Sequence, residues 1–597
     1  MKQNILKLIL FLLAIYSFSS CADYLKTESN STFTEETVFS NLDFATKAMN
    51  GMYADLTNNT LYMYNFLFFK TDNDIEFAIS ANNGSTTDIS HYAANDGNSA
   101  IKTVWDLLYK SIERANTIID NLPTSPLWTG EFSAKTQQLY GEAVTMRAYC
   151  YYELISMWGD VPFKVKSSQA GDNFFLPKTD RDTIYVKLIK ELADVEKYVP
   201  WMIETKTSGR VNKAFIKGLR ARMALSYAGY SLRNKTFETR RGKDWLAYYK
   251  IANTECLEVI QSGKHQLNPN FGNIFKSLCA YTMDLTYNEV LFEINFGRLV
   301  NGPIGNLFGM YFDQGTKYGR GYSNFAVPIS YYYSFDRADT RRNISTELVR
   351  YDANGVQVLA NNMAHFGPCK WRKTWINPLM GGSFASSGNT GVNFPLMRYS
   401  DIILMYAETE NELSGPTQAA KDALSSIRNR AFAAALQPSK VKNYVDSVAV
   451  SKNAFFNAII DERAWEFGGE LVRKYDLVRW NLLGTKLNQM KDDCQKMLNN
   501  DPKYATIVPD YVFWKLLPDG ETLDILNPDY RLPPTAIAGY TRANGWFNAY
   551  ATSKTSFTNS MNIIANGYNV AKNNHLLPIS SLTISSSNGT LSNDQIP

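Results

Sequence analysis

The chain has 597 residues, of which 45% are hydrophobic, 13% aromatic and 20% charged. That is a globular composition with an excess of aromatic rings, long enough for several domains or for one extended helical-repeat body. A net charge of +4 over this length gives no support for nucleic-acid binding, which draws on a clustered basic face.

At the start, Lys2 and Lys7 supply a positive end, and residues 5–15 are mostly apolar, too short and wrongly flanked for a membrane-spanning helix. Phe18, Ser19 and Ser20 lead into Cys21, and small residues before a cysteine resemble the lipobox of bacterial lipoproteins, with Phe18 in place of leucine. Residues 1–20 read as a lipoprotein signal peptide and Cys21 as a lipidation site; a plain secretory signal with an incidental cysteine is the alternative. Acyl chains add about 0.8 kcal/mol per buried methylene, which anchors a chain without spanning the bilayer. The other cysteines, Cys150, Cys256, Cys279, Cys369 and Cys494, are far apart, and none forms C-x-x-C. That disfavours a metal site, and export would permit disulfides. Cys150 and Cys256 fall in helical patterns and read as small buried hydrophobes.

Residues 22–40 are a polar tether. Phe44, Ala48, Met52 and Leu56 predict a first helix. An aromatic run at 66–69 precedes Asp72, Asn73 and Asp74, and residues 80–99 form a loop rich in Asn, Ser, Thr and Gly. Loops of that length are often functional. Helical spacing then predicts elements at 104–119, ended near Pro123, and at 131–158, 183–198, 215–230 and 248–260, the third N-capped by Asp180 or Asp182. Successive helix hairpins point to tetratricopeptide-like packing, although no strict repeat period is visible. Residues 265–395 are different: Gly, Asn, Ser and aromatics dominate, and 290–296 alternates as a strand does.

Further on, Phe456, Ile460, Ala464, Phe467, Leu471, Tyr475, Val478 and Leu482 recur in steps of three and four, one helix face. On other faces Glu462, Glu466 and Glu470 precede Arg473, Asp476 and Arg479, spaced to pair along a helical surface as structural ion pairs. Gly468 and Gly469 mark a kink or a turn between two packed helices. Residues 484–575 read as loop-rich, with Trp514, Tyr540 and Trp546.

This stretch resembles a late motif of the SusD/RagB family, the nutrient-uptake surface lipoproteins of Bacteroidetes. In the pattern E-R-x-x-E-x-x-x-E-G-x-R-x-x-D-L-x-R-W the chain matches at Glu462, Arg463, Glu466, Glu470, Arg473, Asp476, Leu477, Arg479 and Trp480, with Leu471 where glycine is usual. Arg147, Ala148, Tyr151, Leu154, Trp158, Gly159, Asp160, Val161 and Pro162 match a second motif. Arg398, Tyr399, Asp401, Leu404, Tyr406, Ala407 and Glu408 match a third. Phe335, Asp336, Asp339 and Arg341 resemble a further element, and HLLPISSL near the end resembles the closing L-P-I-P, with Ser580 for the second proline.

The resemblance implies a mainly α fold: a tetratricopeptide-like scaffold with a loop-rich, partly β insertion that carries the ligand site. The expected divisions are a signal peptide at 1–20, a helical region at 21–264, the insertion at 265–395, and a C-terminal region at 396–597 with a helical pair at 454–483 and a loop-rich tail. It also implies a non-enzymatic, outward-facing outer-membrane lipoprotein that captures oligosaccharide or polysaccharide and passes it to a SusC-like TonB-dependent transporter. By position, ligand contacts are expected at Asn82, Asn83 and Tyr92 in the early loop and at Phe312, Tyr318, Tyr322, Trp371 and Trp375 in the insertion. Trp105, Trp158 and Trp480 belong to the core.

No cofactor and no metal is expected. His91, His265, His365 and His575 are dispersed, and no H-E-x-x-H, G-x-S-x-G, P-loop or dinucleotide fingerprint occurs. Asp72 with Asp74, and Asp336 with Asp339, are close acids, but acids in loops are turn formers or cation ligands more often than catalysts. Three other readings stay open: a peptide-capturing uptake protein, a helical interaction scaffold, and a surface glycosidase resting on unassigned acids.

Overall fold

The computed structural model describes residues 34–594 apart from 59–60, 315, 320, 381–386 and 547–553. The signal peptide at 1–20 and Cys21 lie outside the described residues.

Apolar periodicity builds the stack. Helix Leu42–Leu56 starts at Asn41, whose Oδ1 accepts from Asp43 N at 2.9 Å, and packs on Ser99–Asn121. That helix forms a hairpin with Ser133–Trp158. The next helix, Arg181–Val195, is capped by Asp180, whose Oδ1 accepts from Asp182 N at 2.8 Å and so satisfies a donor left open at the helix start. Lys213–Ala228 packs against it and against Trp245–Gln261. The following neighbour in space is Tyr399–Ser414, which in turn carries Gln418–Ala431 and Lys452–Phe467. The facing stripes are dry: Leu108, Met146, Leu188, Leu219, Cys256 and Leu404 have no exposed surface. Each such burial is worth roughly 1.5–3 kcal/mol. Trp105, Trp158 and Trp480 are buried, and all five described cysteines are buried and free.

The helices of Trp245–Gln261 and Tyr399–Ser414 touch although some 140 residues lie between the end of one and the start of the other, so the chain between them loops out of a continuous stack. Its root is closed by antiparallel pairing of Val290–Ile294 with Phe394–Arg398, in register Phe394↔Ile294. The excursion itself is short helices, two-stranded ribbons and loops.

Of the late motif's carboxylates, Asp476 pairs along its own helix with Arg479 at 2.9 Å, whereas Glu462, Glu466 and Glu470 do not pair with Arg473 or Arg479. Helix Lys452–Phe467 ends at Gly468, and Gly469 (φ +84°) and Leu471 (φ +58°) turn the chain into Arg473–Arg479. Leu471 keeps the left-handed turn where glycine is the usual residue. At Gly468 a Cβ would lie 2.1 Å from the Tyr331 hydroxyl, so only glycine fits. Because the turn breaks the helical spacing, each of these glutamates finds a distant base inside the protein. Glu462 takes Arg341 and Arg428, and Glu466 takes Arg341, Arg398 and Arg430. Glu470 takes Arg398 and Lys370, Asp401 takes Arg222 and Arg463, and Glu408 takes Arg479 together with the Trp480 indole N–H. The motif residues therefore form two buried ion clusters, one around Arg398 and one around Arg463, and each locks the third motif to the late one.

The second motif also has structural work to do. Arg147 donates to Asn116 Oδ1 and Val165 O and pairs with Glu191, while Asp160 Oδ1 accepts from Arg181 N, the first residue of the next helix.

The tail departs from the loop-rich expectation. It opens on a 16-residue helix, Leu483–Leu498, with Leu483, Leu487, Met490, Cys494 and Met497 buried at steps of three and four. A three-stranded sheet follows, Tyr511–Leu516 between Leu523–Ile525 and Thr541–Asn544. Trp546 is buried.

Candidate functional site

The early loop and the insertion meet at one seam. Phe77–Ala78 pairs antiparallel with Phe325–Ala326, and Ile79 N donates to Asn324 O at 3.1 Å. The loop above this seam is built by its own polar residues. Asp72 is fully buried and accepts from Ala78 N, Ala565 N and His91 Nδ1, the last at 2.5 Å. Asp74 takes a two-point contact from Arg473 at 2.7 and 2.8 Å. Asp336 is held by Lys440 and Asp339 by Arg341. These close acids are loop builders and ion partners in this fold.

Glu76 ties the loop's root to the helical stack. Its Oε1 accepts from Gly469 N at 2.8 Å, and its Oε2 has no hydrogen-bond partner among the described residues. Burial pushes its carboxyl up from 4.5 to about 7. A raised carboxyl favours the folded state while protonated, so this contribution is present below the unfolded value and is lost as pH rises through about 7. Glu76→Gln is expected to abolish this dependence: between pH 5 and pH 8 its urea stability should rise relative to wild type by roughly 2–3 kcal/mol. A constant difference across that window would refute the assignment.

Of the residues expected to contact ligand, Asn82 and Asn83 are exposed at the loop apex. Asn83 Oδ1 accepts from Ser85 N and Thr87 Oγ1, and Asn82 Oδ1 accepts from Asn566 Nδ2. Tyr92 is a half-buried strut: its hydroxyl donates to Asp72 O, its ring lies 5.1 Å from Tyr568, and Lys474 Nζ stands 4.2 Å from the ring.

In the insertion, three expected platforms prove to be core. Phe312 is fully buried, stacked on Tyr351 at 4.5 Å, with Tyr318 buried edge-on beside it. Trp371 has no exposed surface; it packs on Phe275 and Phe394, and its indole N–H donates to Gly469 O at 2.8 Å. Their rings are spent on packing, which removes them from ligand contact in this structure. Trp375 is half-buried between the Arg372 guanidinium and Lys276.

Of the insertion residues expected to contact ligand, Tyr322 is the exposed one, at 45%, in a left-handed conformation (φ +79°). Residues that the sequence reading passed over surround it. The Tyr311 ring is 6.3 Å from Tyr322 and 4.3 Å from His365. His365 Nδ1 is 2.8 Å from Asn361 Oδ1, and Asn362 Nδ2 is 3.1 Å from His365 Nε2. Arg350 pairs with Asp313 at 2.6 Å. Burial, with the Arg350 charge nearby, pushes the His365 imidazole down to about 4, so it is neutral near pH 7. In an extended segment neighbours face opposite ways, so the burial of Phe312, which the sequence does not announce, turns Tyr311 and Asp313 the other way. The result is a surface of two aromatic rings bordered by a neutral imidazole, amides and an internally paired charge. Such a surface packs the C–H face of a polyhydroxylated ring and hydrogen-bonds its hydroxyls.

Comparison with known proteins finds the same architecture. Residues 314–594 match a family described as the SusD family, and residues 23–225 match one described as starch-binding, associating with the outer membrane. A SusD-like protein of Formosa agariphila is 23% identical over 525 residues, 81% of this chain and 91% of that protein. A SusD homolog from Bacteroides thetaiotaomicron superposes with a TM-score of 0.68 at 21% identity, over 77% of this chain and 90% of that one. Surface glycan-binding protein A from Bacteroides thetaiotaomicron, solved in complex with laminarihexaose, gives a TM-score of 0.59 at 18% identity over 92% of this chain and 99% of that one.

Proposed function

Because this chain belongs to the SusD/RagB family, we propose that it is a non-enzymatic, lipid-anchored outer-membrane protein that captures oligosaccharide or polysaccharide and hands it to a SusC-like TonB-dependent transporter. The observation that carries the capture step is the exposed Tyr322 with the half-buried Tyr311 beside it, next to the seam where the early loop meets the insertion. In this reading residues 265–395 are the ligand-bearing insertion, 21–264 and 396–597 the scaffold, and Cys21 the anchor. The acid nearest the rings, Asp313, is paired with Arg350, which supports binding over acid–base chemistry. The match to a relative solved with laminarihexaose supports a carbohydrate ligand, and the description "associating with outer membrane" supports the location.

Calorimetric titration of the mature chain against plant, host and microbial polysaccharides, with product analysis of the same mixtures, tests this. Binding without chain shortening is expected, and Tyr322→Ala should weaken it by about tenfold or more, that is ~1.4 kcal/mol. No heat from any glycan would turn the reading to a peptide-capturing protein or a scaffold, and shortened products would make the protein a glycosidase.

A further inference from the structure

Helix Lys452–Phe467 carries two half-buried large rings, Phe456, which packs edge-on against Trp480, and Trp465. Trp465 is half-buried, with its indole N–H 3.1 Å from Ser334 Oγ. The ring stands between two recesses that share it and Ser334 as a wall. One, of about 200 Å³, runs toward Asp74, Ile75 and Gln489. The other, of about 580 Å³, opens toward Phe335, Asn443 and Tyr444.

The chemistry of this groove selects a ligand class. Its charges are already neutralised: Asp74 by Arg473, Asp461 by Lys486, Asp336 by Lys440, Arg428 by Glu462 and Asp493 by Lys503. An ionic ligand would therefore have to displace an existing partner, at a cost in both desolvation and lost pairing. What remains is aromatic and neutral polar. The available rings are the half-buried Trp465 and Tyr444, the latter with the Arg428 guanidinium 3.8 Å over it, while Phe335, 6.2 Å from Trp465, is buried. Asn443, Ser447 and Gln489 are exposed at the rim. Rings for C–H packing with neutral donors and acceptors around them suit an uncharged polyhydroxylated chain. The near end of the groove, Asp74 and Ile75, is also the root of the early loop, two residues before its Phe77–Ala78 strand.

We propose that the groove on either side of Trp465 is a second carbohydrate-contact site, which takes an uncharged stretch of a polysaccharide; this rests on the glycan-capture reading above. Two contacts on one polymer raise its apparent affinity by effective concentration, with no effect on a ligand too short to reach both.

The test is electrophoresis of the mature chain in native gels cast with laminarin, starch, xyloglucan or yeast mannan. Trp465→Ala is compared with a double variant, Asn443→Arg with Ser447→Arg, which obstructs the groove from exposed positions and leaves the core alone. In the gel that retards wild type, both should lose about tenfold in apparent polymer affinity, while binding of a di- or trisaccharide of the same glycan stays unchanged. Wild-type retardation by both variants overturns the groove and leaves glycan capture standing. A loss confined to Trp465→Ala marks a packing defect and overturns it as well. If no gel retards wild type, the capture reading falls and the groove with it.

Discussion

Arg398→Ala is expected to cost about 3–5 kcal/mol of folding stability, enough to unfold much of the population at 37 °C. Arg398 is buried, and its guanidinium bonds Glu470 through Nε at 2.7 Å and through a second nitrogen at 2.8 Å, with Glu289 at 2.9 Å and Glu466 at 3.0 Å. Truncation leaves three buried carboxylates short of a counter-charge, and that penalty exceeds the net worth of the intact network. Arg398→Lys keeps the charge but loses the planar fork, so it should recover less than half of the loss. Urea unfolding followed by circular dichroism reads both; a loss under 1 kcal/mol for the alanine variant would rule this account out. Lys47→Ala, which breaks an exposed helical pair with Asp43, supplies the contrast and should change stability by no more than ~0.5 kcal/mol. The network also fixes an acid limit. Burial alone would raise the Glu466 carboxyl, but Arg430, Arg398 and Arg341 hold it well below the usual carboxylate range. Its contribution is therefore complete above an unfolded value of ~4.3 and is lost as pH falls below that.

What the sequence makes legible follows from how local each signal is. Helices such as Ser99–Asn121 and Ser133–Trp158 declare themselves by spacing, because an apolar stripe is a property of neighbours in sequence. The same spacing misleads at Glu462, Glu466 and Glu470. Pairing with Arg473 and Arg479 assumes an unbroken helix, whereas the turn at Gly468–Leu471 frees Glu466 to reach Arg398 and Arg341 across the fold. Helix Leu483–Leu498 had its stripe in view, but reading that stretch for its rings and loops hid it.

At the candidate site the difficulty is different. In the insertion, burial is decided by non-local contacts, and consecutive residues diverge. Phe312 is buried by Tyr351 from a segment almost 40 positions on, while Tyr311 beside it borders Tyr322. Residue type alone cannot separate a ring that packs from a ring that stays exposed, and Tyr322 and Phe312 differ in burial though both are aromatic.

Trp371→Ala is the sharpest test of that distinction. The ring lies in the core between Phe275 and Phe394, and its N–H holds the Gly469 carbonyl of the turn inside the late motif. Lys370, its chain neighbour, reaches Glu470 and the Glu466 carbonyl from the same segment. The insertion is thus pinned to the helical stack here. Removing the indole opens a cavity and leaves a buried carbonyl short of its donor, which together cost about 4–6 kcal/mol. Trp371→Phe fills most of the volume and should lose less than half of that. A ligand platform predicts the opposite pattern: near-normal melting and abolished glycan binding. With core packing, the midpoint should fall by several degrees, and binding measured below the transition should match wild type. Since Tyr322→Ala should instead weaken binding and leave the midpoint almost unchanged, the pair of variants separates the ring that anchors the insertion from the ring it presents.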